Sequence, residues 1–101
     1  MEKRSLFGKI NKGLFWDVVW RKLDLEKNKY FIIHRVLCYG SMDEIRLLFK
    51  IYSRNTIKKE FLKPSPGMYY PETLALCQFI LGLRKINERK YLKNLLYAPV
   101  R

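Results

Sequence analysis

The segment from Lys29 to Gly40 reads KYFIIHRVLCYG and decides the fold. Branched and aromatic side chains fill most of its positions, Asp24 stands shortly before it, and a glycine follows its last tyrosine. An acidic N-cap, a dense apolar run and a closing glycine predict one helix from about Leu25 to Tyr39, with Gly40 in the left-handed conformation. We expect Phe31 to Leu37 to face the core.

Capping signals predict two more helices after Gly40. Ser41 and Glu44 fit the Ser-x-x-Glu capping box, in which each side chain satisfies a free backbone N–H of the other residue. Apolar residues from Ile45 to Tyr52 follow at helical spacing, so this helix has one buried face. Asn55 is the predicted cap of a short third helix, which Pro64 ends.

The C-terminal third predicts two further helices after a loop over residues 64–70. Pro71 suits the first position of a helix, and Gly82 suits its end. Residues 74–81 are apolar almost all round, which favours a central position surrounded by other helices. The last helix is predicted from about Asn87 to Tyr97, where Pro99 stops it.

Length and patterning set the fold class. The chain has 101 residues, of which 49% are hydrophobic, enough for one small core. No alternating strand pattern is visible, so residues 14–101 are predicted to form an all-α, compact single-domain bundle of four to six short helices. Residues 1–13 are basic and contain Gly8 and Gly13, which predicts a flexible basic arm.

The reactive residue types are scarce and scattered. His34 is the single histidine, Cys38 and Cys77 lack CxxC spacing, and the glycines occur singly. The carboxylates are explained by helix starts and by the abundant Lys and Arg. We therefore expect no enzyme activity, cofactor or metal, with His34 structural and both thiols free. No signal-peptide pattern or membrane-length apolar run is visible, which predicts a cytoplasmic protein with no membrane contact.

Positive charge is the clearest functional signal. Lys and Arg total 21 against 9 acidic residues, a net charge of +12 that favours anionic partners. Clusters of basic residues can neutralise phosphates, although a solvated helix face has the same pattern. A helix-turn-helix built from the second and third helices is a further, weakly specific alternative. The candidate nucleic-acid-binding residues are Arg46, Lys50, Arg54, Lys58, Lys59, Arg84, Lys85, Arg89, Lys90 and Lys93.

Aromatic residues near the N-terminus have two interpretations. Core packing is one interpretation of the five aromatic residues Trp16, Trp20, Tyr30, Phe31 and Tyr39. A partly exposed tryptophan beside basic residues would instead be a typical interface anchor. Arg35 lies inside the apolar segment and must either extend to water or pair with a carboxylate, for which Asp17, Asp24 and Asp43 are the choices. The candidate partner-binding residues are Trp16, Asp17, Trp20 and Arg35.

The chain resembles a family of small bacterial helical proteins of unassigned function. The resemblance rests on LFWDV (14–18), LD (23–24), FIIHRVLCYG (31–40), DEIR (43–46) and Tyr52, and it covers about residues 14–83. Members look like antitoxin-type partners encoded beside nucleotidyltransferase toxins of the abortive-infection kind. The segment from Pro66 to Thr73 is longer than its counterpart in similar proteins, and the basic tail after Leu83 also differs.

Two functions follow as hypotheses. The resemblance implies an antitoxin-like module that binds a nucleotidyltransferase-type toxin. The alternative is a basic helical protein that binds DNA or RNA, with an affinity that falls steeply as salt rises.

Overall fold

The protein folds as five α-helices within the residues that the computed structural model describes, which are 3–63, 67, 69–87 and 90–92. Two 3₁₀ helices, Lys12–Phe15 and Trp20–Lys22, lie between the first two α-helices. Over these ranges there is no strand, only an isolated bridge between Tyr69 and Leu92. The all-α prediction is confirmed. The helices are α1 (Lys3–Phe7), α2 (Lys29–Tyr39), α3 (Met42–Ile51), α4 (Arg54–Phe61) and α5 (Pro71–Leu81).

Helix α2 lies at the centre of the fold. It contacts α3, α4, α5 and the first 3₁₀ helix. Six consecutive residues, from Ile32 to Leu37, are buried, which is possible only where neighbours surround a helix on most sides. The expectation that this segment faces the core is confirmed for residues 32–37, whereas Phe31 is half-buried.

The start of α2 differs from the prediction. Asp24 does not cap the helix, because its carboxylate accepts hydrogen bonds from the backbone N–H groups of Glu26 and Lys27, each at 2.8 Å. These bonds close a separate turn before the helix and hold the pKa of Asp24 below its usual value. The predicted start at Leu25 is therefore four residues too early, and Asn28 takes the N-cap position.

The predicted helix caps and closing glycines are confirmed at some positions and wrong at others. The Ser41–Glu44 capping box is confirmed, and Gly82 ends α5 with a left-handed φ of 67°. Gly40 instead has an extended backbone with φ −77°. Glycine is required there by close approach, since a Cβ would lie 2.6 Å from the Val36 carbonyl oxygen. Helix α4 is capped by Ser53, whose hydroxyl accepts from the Thr56 N–H, so the prediction of Asn55 is wrong.

The N-terminal residues pack on the core where the sequence predicts a flexible arm. Leu6, Phe7 and Ile10 are buried, and α1 contacts α3. Phe7 stacks on Trp20 with ring centroids 5.0 Å apart, and the Arg4 guanidinium donates to the Leu23 carbonyl oxygen at 2.6 Å. These apolar residues share one side of the segment, and their burial outweighs the helix-weakening effect of the glycines.

Helix α5 lies at the edge of the fold, so the prediction of a surrounded helix is wrong. Leu74, Cys77 and Leu81 are buried on one side, whereas Phe79 is 83% exposed and Leu76 is also exposed. Most of the predicted last helix, Asn87–Tyr97, falls outside the described residues. In the described part the chain pairs with residue 69 instead: the Tyr69 N–H donates to the Tyr91 carbonyl oxygen at 2.9 Å.

Candidate functional site

Arg35 and Asp17 form an ion pair at the end of the first 3₁₀ helix. Two guanidinium nitrogens of Arg35 donate to the two carboxylate oxygens of Asp17, at 2.9 and 3.1 Å, and one also donates to the Leu14 carbonyl oxygen at 2.9 Å. Arg35 is only 6% exposed, so the pair is partly desolvated and two-pronged. The arginine holds the pKa of Asp17 below its usual value. Of the three carboxylates open to Arg35, Asp17 is the partner.

Trp16 covers this pair from the solvent side. The Arg35 guanidinium carbon lies 4.6 Å from the centre of the Trp16 ring and 4.5 Å from that of Phe31, so it is held between two aromatic faces. Trp16 is nevertheless 68% exposed, and the edge of Tyr39 meets it with ring centroids 6.1 Å apart. The core-packing interpretation is therefore wrong for Trp16.

The local sequence explains why Trp16 points outward. The Asn11 side chain accepts from the Gly13 N–H and caps the first 3₁₀ helix, and Phe15 is buried as its anchor. The next residue, Trp16, then lies on the outer side of the turn. Val18 and Val19 follow it and are also exposed. We call Trp16, Val18, Val19 and Tyr39 the Trp16 surface.

Trp20 does not belong to this surface. It is half-buried against Phe7, and the charged groups of Arg4 and Lys12 lie 4.8 and 4.7 Å from the centre of its ring. It therefore fastens the N-terminal segment, as the core-packing interpretation predicts.

Three of the predicted basic residues meet at a groove between α3 and α5. Arg46, Lys50 and Arg54 line a cavity of about 430 Å³. Arg46 pairs with Asp43 on the exposed side of α3, at 3.2 Å, and Arg54 donates to the Ile80 carbonyl oxygen at 2.6 Å. The remaining lining is apolar: Met42, Ile45, Phe49 and Ile80. We call this cavity the α3–α5 groove.

The other predicted basic residues are not at this groove. Lys58 is half-buried and Lys59 is exposed on α4, while Arg84 and Lys85 are exposed after α5. Lys90 is exposed at a smaller cavity of about 150 Å³ beside Leu62. Arg89 and Lys93 lie outside the described residues. Among the described residues, the fold thus divides the predicted basic set among several places.

Sequence comparison places residues 10–61 in the family of unknown function DUF6922. The chain belongs to this family. No match is found among curated proteins or among solved structures. The DUF6922 region contains Trp16, Asp17 and Arg35, and it ends with α4. The α5 side of the groove lies beyond it.

His34 lies in the DUF6922 region, and its hydrogen-bond partners come from α4 and from the residues that follow it. Its Nε2–H donates to the carbonyl oxygens of Lys63 and Glu60, at 2.8 and 3.0 Å, and its Nδ1 accepts from the Tyr69 hydroxyl at 2.7 Å. Burial lowers the pKa of His34, which favours the neutral ring. Every polar atom of the ring is satisfied, and its role is structural.

The remaining reactive groups do not form a chemical centre in the described part of the chain. Neither Cys38 nor Cys77 is in a disulfide, and burial raises the pKa of Cys77 to about 12, which keeps it protonated. Within the described ranges, no three His, Cys, Asp or Glu side chains could hold a metal ion together. None of the described helices has the length and apolarity to cross a membrane.

Sequence reasoning missed two parts of these surfaces. Tyr39 was expected in the core, and Phe79 was expected in a surrounded helix, yet both are exposed. Phe79 carried a usable signal, because a helix that is apolar all round can also bury one face and offer the other to a partner.

Proposed function

We propose that the protein is a non-enzymatic, antitoxin-like binding module that contacts a partner protein through the Trp16 surface. The observation that carries the proposal is an exposed tryptophan whose ring is held in place by a buried arginine. Trp16 is 68% exposed, yet it is stacked on a guanidinium that Asp17 fixes. Tryptophan and arginine dominate binding hot spots, and a side chain that is already ordered loses little entropy on binding.

The partner to test first is a nucleotidyltransferase-type toxin. This choice comes from the resemblance of the segments around Trp16 and Arg35 to antitoxin-like proteins. An exposed apolar surface of this kind suits a partner that offers an apolar pocket.

Nucleic-acid binding is the second candidate function. It is favoured by the net charge of +12 and by exposed cations such as Lys59, Arg84 and Lys85. Binding of this kind weakens steeply with salt, since each phosphate contact adds about 0.9 to the slope of log K against log salt. Salt dependence therefore separates the two candidates.

The test is a pull-down from the native host with the tagged full-length protein at low and high salt, in which both protein and nucleic acid are identified. We expect a nucleotidyltransferase to be retained at high salt in stoichiometric amount. Trp16→Ala should abolish its recovery. The control Leu62→Ala removes an exposed apolar side chain at the end of α4 and should leave recovery unchanged.

Two results would overturn the proposal. If only mixed nucleic acid is recovered, and only at low salt, the function is nucleic-acid binding through the positive charge. If Trp16→Ala and Leu62→Ala reduce recovery equally, the Trp16 surface is not the contact.

A further inference from the structure

The α3–α5 groove is a second surface, and its α3 side alternates apolar and basic side chains. Met42, Arg46, Phe49 and Lys50 stand at positions i, i+4, i+7 and i+8, so they follow one stripe along the helix. Met42 is exposed, and Phe49 is half-buried. The stripe extends over about 12 Å of helix, or roughly two turns.

Helix α5 supplies one lining residue, Ile80. Leu76 lies one helical turn before Ile80, and Phe79 precedes Ile80 on a neighbouring exposed face of the helix. With 83% exposure, Phe79 is the most exposed of the large apolar side chains in the described part of the chain. An exposed apolar strip of this kind marks an interaction site more often than a plain surface.

The charge around the groove is predominantly positive. Lys50 forms no ion pair with any described residue, and Arg54 donates to a neutral carbonyl, so both charges are uncompensated. Asp43 offsets Arg46 on the outer side of α3, and Glu72 stands two turns before Phe79. A docked group would therefore meet a field that favours carboxylates.

We propose that the α3–α5 groove binds an amphipathic helix of a partner protein, one with acidic side chains beside its apolar stripe. An amphipathic helix binds by laying its apolar stripe in an apolar groove. The apolar lining of this groove can receive such a stripe, and the charges of Lys50 and Arg54 favour acidic side chains beside it. Nucleic acid fits less well, because its phosphates would leave the apolar lining of the groove uncovered. A second copy of this chain would bring two surfaces of like charge together, since the net charge is +12.

This inference concerns a surface separate from Trp16, so it does not depend on the proposed function. The test is fluorescence anisotropy of labelled peptides on the full-length protein. Each peptide has about 16 residues, long enough to form a helix. The first has leucines at i, i+4, i+7 and i+11 flanked by glutamates, the second has the same composition in scrambled order, and the third has lysine in place of glutamate.

We expect the first peptide to bind with a Kd below about 100 µM and the other two to bind at least about tenfold more weakly. Lys50→Glu should weaken binding by about tenfold, whereas Lys22→Glu makes the same change of charge on the second 3₁₀ helix and should alter it less than about twofold. Phe79→Ser should weaken binding, with Leu62→Ser as its exposed apolar control.

Four results would overturn the inference. Two concern the peptides: the first peptide does not bind at about 100 µM, or the scrambled peptide binds equally well. Two concern the variants: Lys50→Glu and Lys22→Glu have equal effects on binding, or Phe79→Ser and Leu62→Ser do. A single-stranded oligonucleotide that binds more tightly than the peptide, and that depends on Lys50, would make the groove a phosphate-binding site instead.

Discussion

His34 and Arg35 are neighbours on α2, and both are buried, yet His34 bonds to groups in the interior and Arg35 bonds to groups at the surface. His34 turns inward, where α4 and Tyr69 satisfy both ring nitrogens. Arg35 turns toward the first 3₁₀ helix, where its charge meets a half-exposed carboxylate and an exposed indole. The two differ in whether their networks end inside the protein or at its surface.

The difference separates a polar group that stabilises the interior from one that reaches a proposed binding surface. A buried network with every donor and acceptor paired stabilises one packing arrangement and offers nothing to a ligand. The Arg35 network includes the contact with Trp16, so it fixes the position of a side chain that is exposed to a partner.

The largest effect is expected from His34→Ala. It leaves the Tyr69 hydroxyl and the Lys63 carbonyl oxygen without these hydrogen bonds, removes one of the bonds to the Glu60 carbonyl oxygen and opens a cavity. The free energy of unfolding should therefore fall by about 3–4 kcal/mol. Urea denaturation measures it. Lys59→Ala, on the exposed side of α4, should change the free energy by less than about 0.5 kcal/mol. A similar small loss in both variants would mean that the interior network does not stabilise the fold.

Arg35→Ala should lower the free energy of unfolding by about 2–3 kcal/mol. This loss is smaller than that for His34→Ala because the hydrogen-bond network of Arg35 is partly open to water. The matched variant is Arg46→Ala, whose ion pair with Asp43 is exposed and worth about 0.3 kcal/mol. Thermal unfolding of the two variants compares them directly. Equal melting temperatures would contradict the assignment of Arg35 to a buried pair.

The pH dependence of stability tests the neutral state of His34. Its pKa in the folded protein lies below 6.5, so the unfolded chain takes up the proton first as the pH falls. The free energy of unfolding should therefore decrease below pH 6.5, by up to about 1.4 kcal/mol per pH unit, until the folded-state pKa is reached. Denaturation between pH 7 and 5 measures this slope. His34→Gln should reduce the slope of the free energy of unfolding against pH. An unchanged slope in that variant would mean that other titrating groups cause the pH dependence.

The smallest effect on stability is expected from Trp16→Ala. Most of the indole is in water, so the free energy of unfolding should change by about 0.5 kcal/mol. Its effect on partner binding should be much larger, about 2 kcal/mol or more. Urea denaturation and a binding titration on the same sample separate the two. A loss of stability as large as that of Arg35→Ala would make Trp16 a structural residue.

Local chemistry made part of the fold predictable. The Ser41–Glu44 capping box, Pro71 at the first turn of α5 and Gly82 at its end act within four residues of chain, and all three are confirmed. The buried stretch of α2 was also predictable, because a run of branched and aromatic residues has few other places in a small helical protein.

Long-range packing explains the errors. Gly8 and Gly13 weaken a helix near the N-terminus and so predict a flexible arm, but the burial of Leu6 and Phe7 against α3 and Trp20 compensates for this weakness. Nothing in the sequence said which side of α5 would be covered, so the exposure of Phe79 was missed. Arg35 had three carboxylates to choose from, and only the fold selected Asp17.

The extended glycine between α2 and α3 links the two proposed surfaces. The Trp16 surface ends at Tyr39 and the α3–α5 groove begins at Met42, so about 11 Å of chain at most separates the two Cα atoms. This connection is short, and residue 40 has no room for a side chain. A partner that reaches both surfaces would bind the second at high effective concentration, and two weak contacts would act as one strong one.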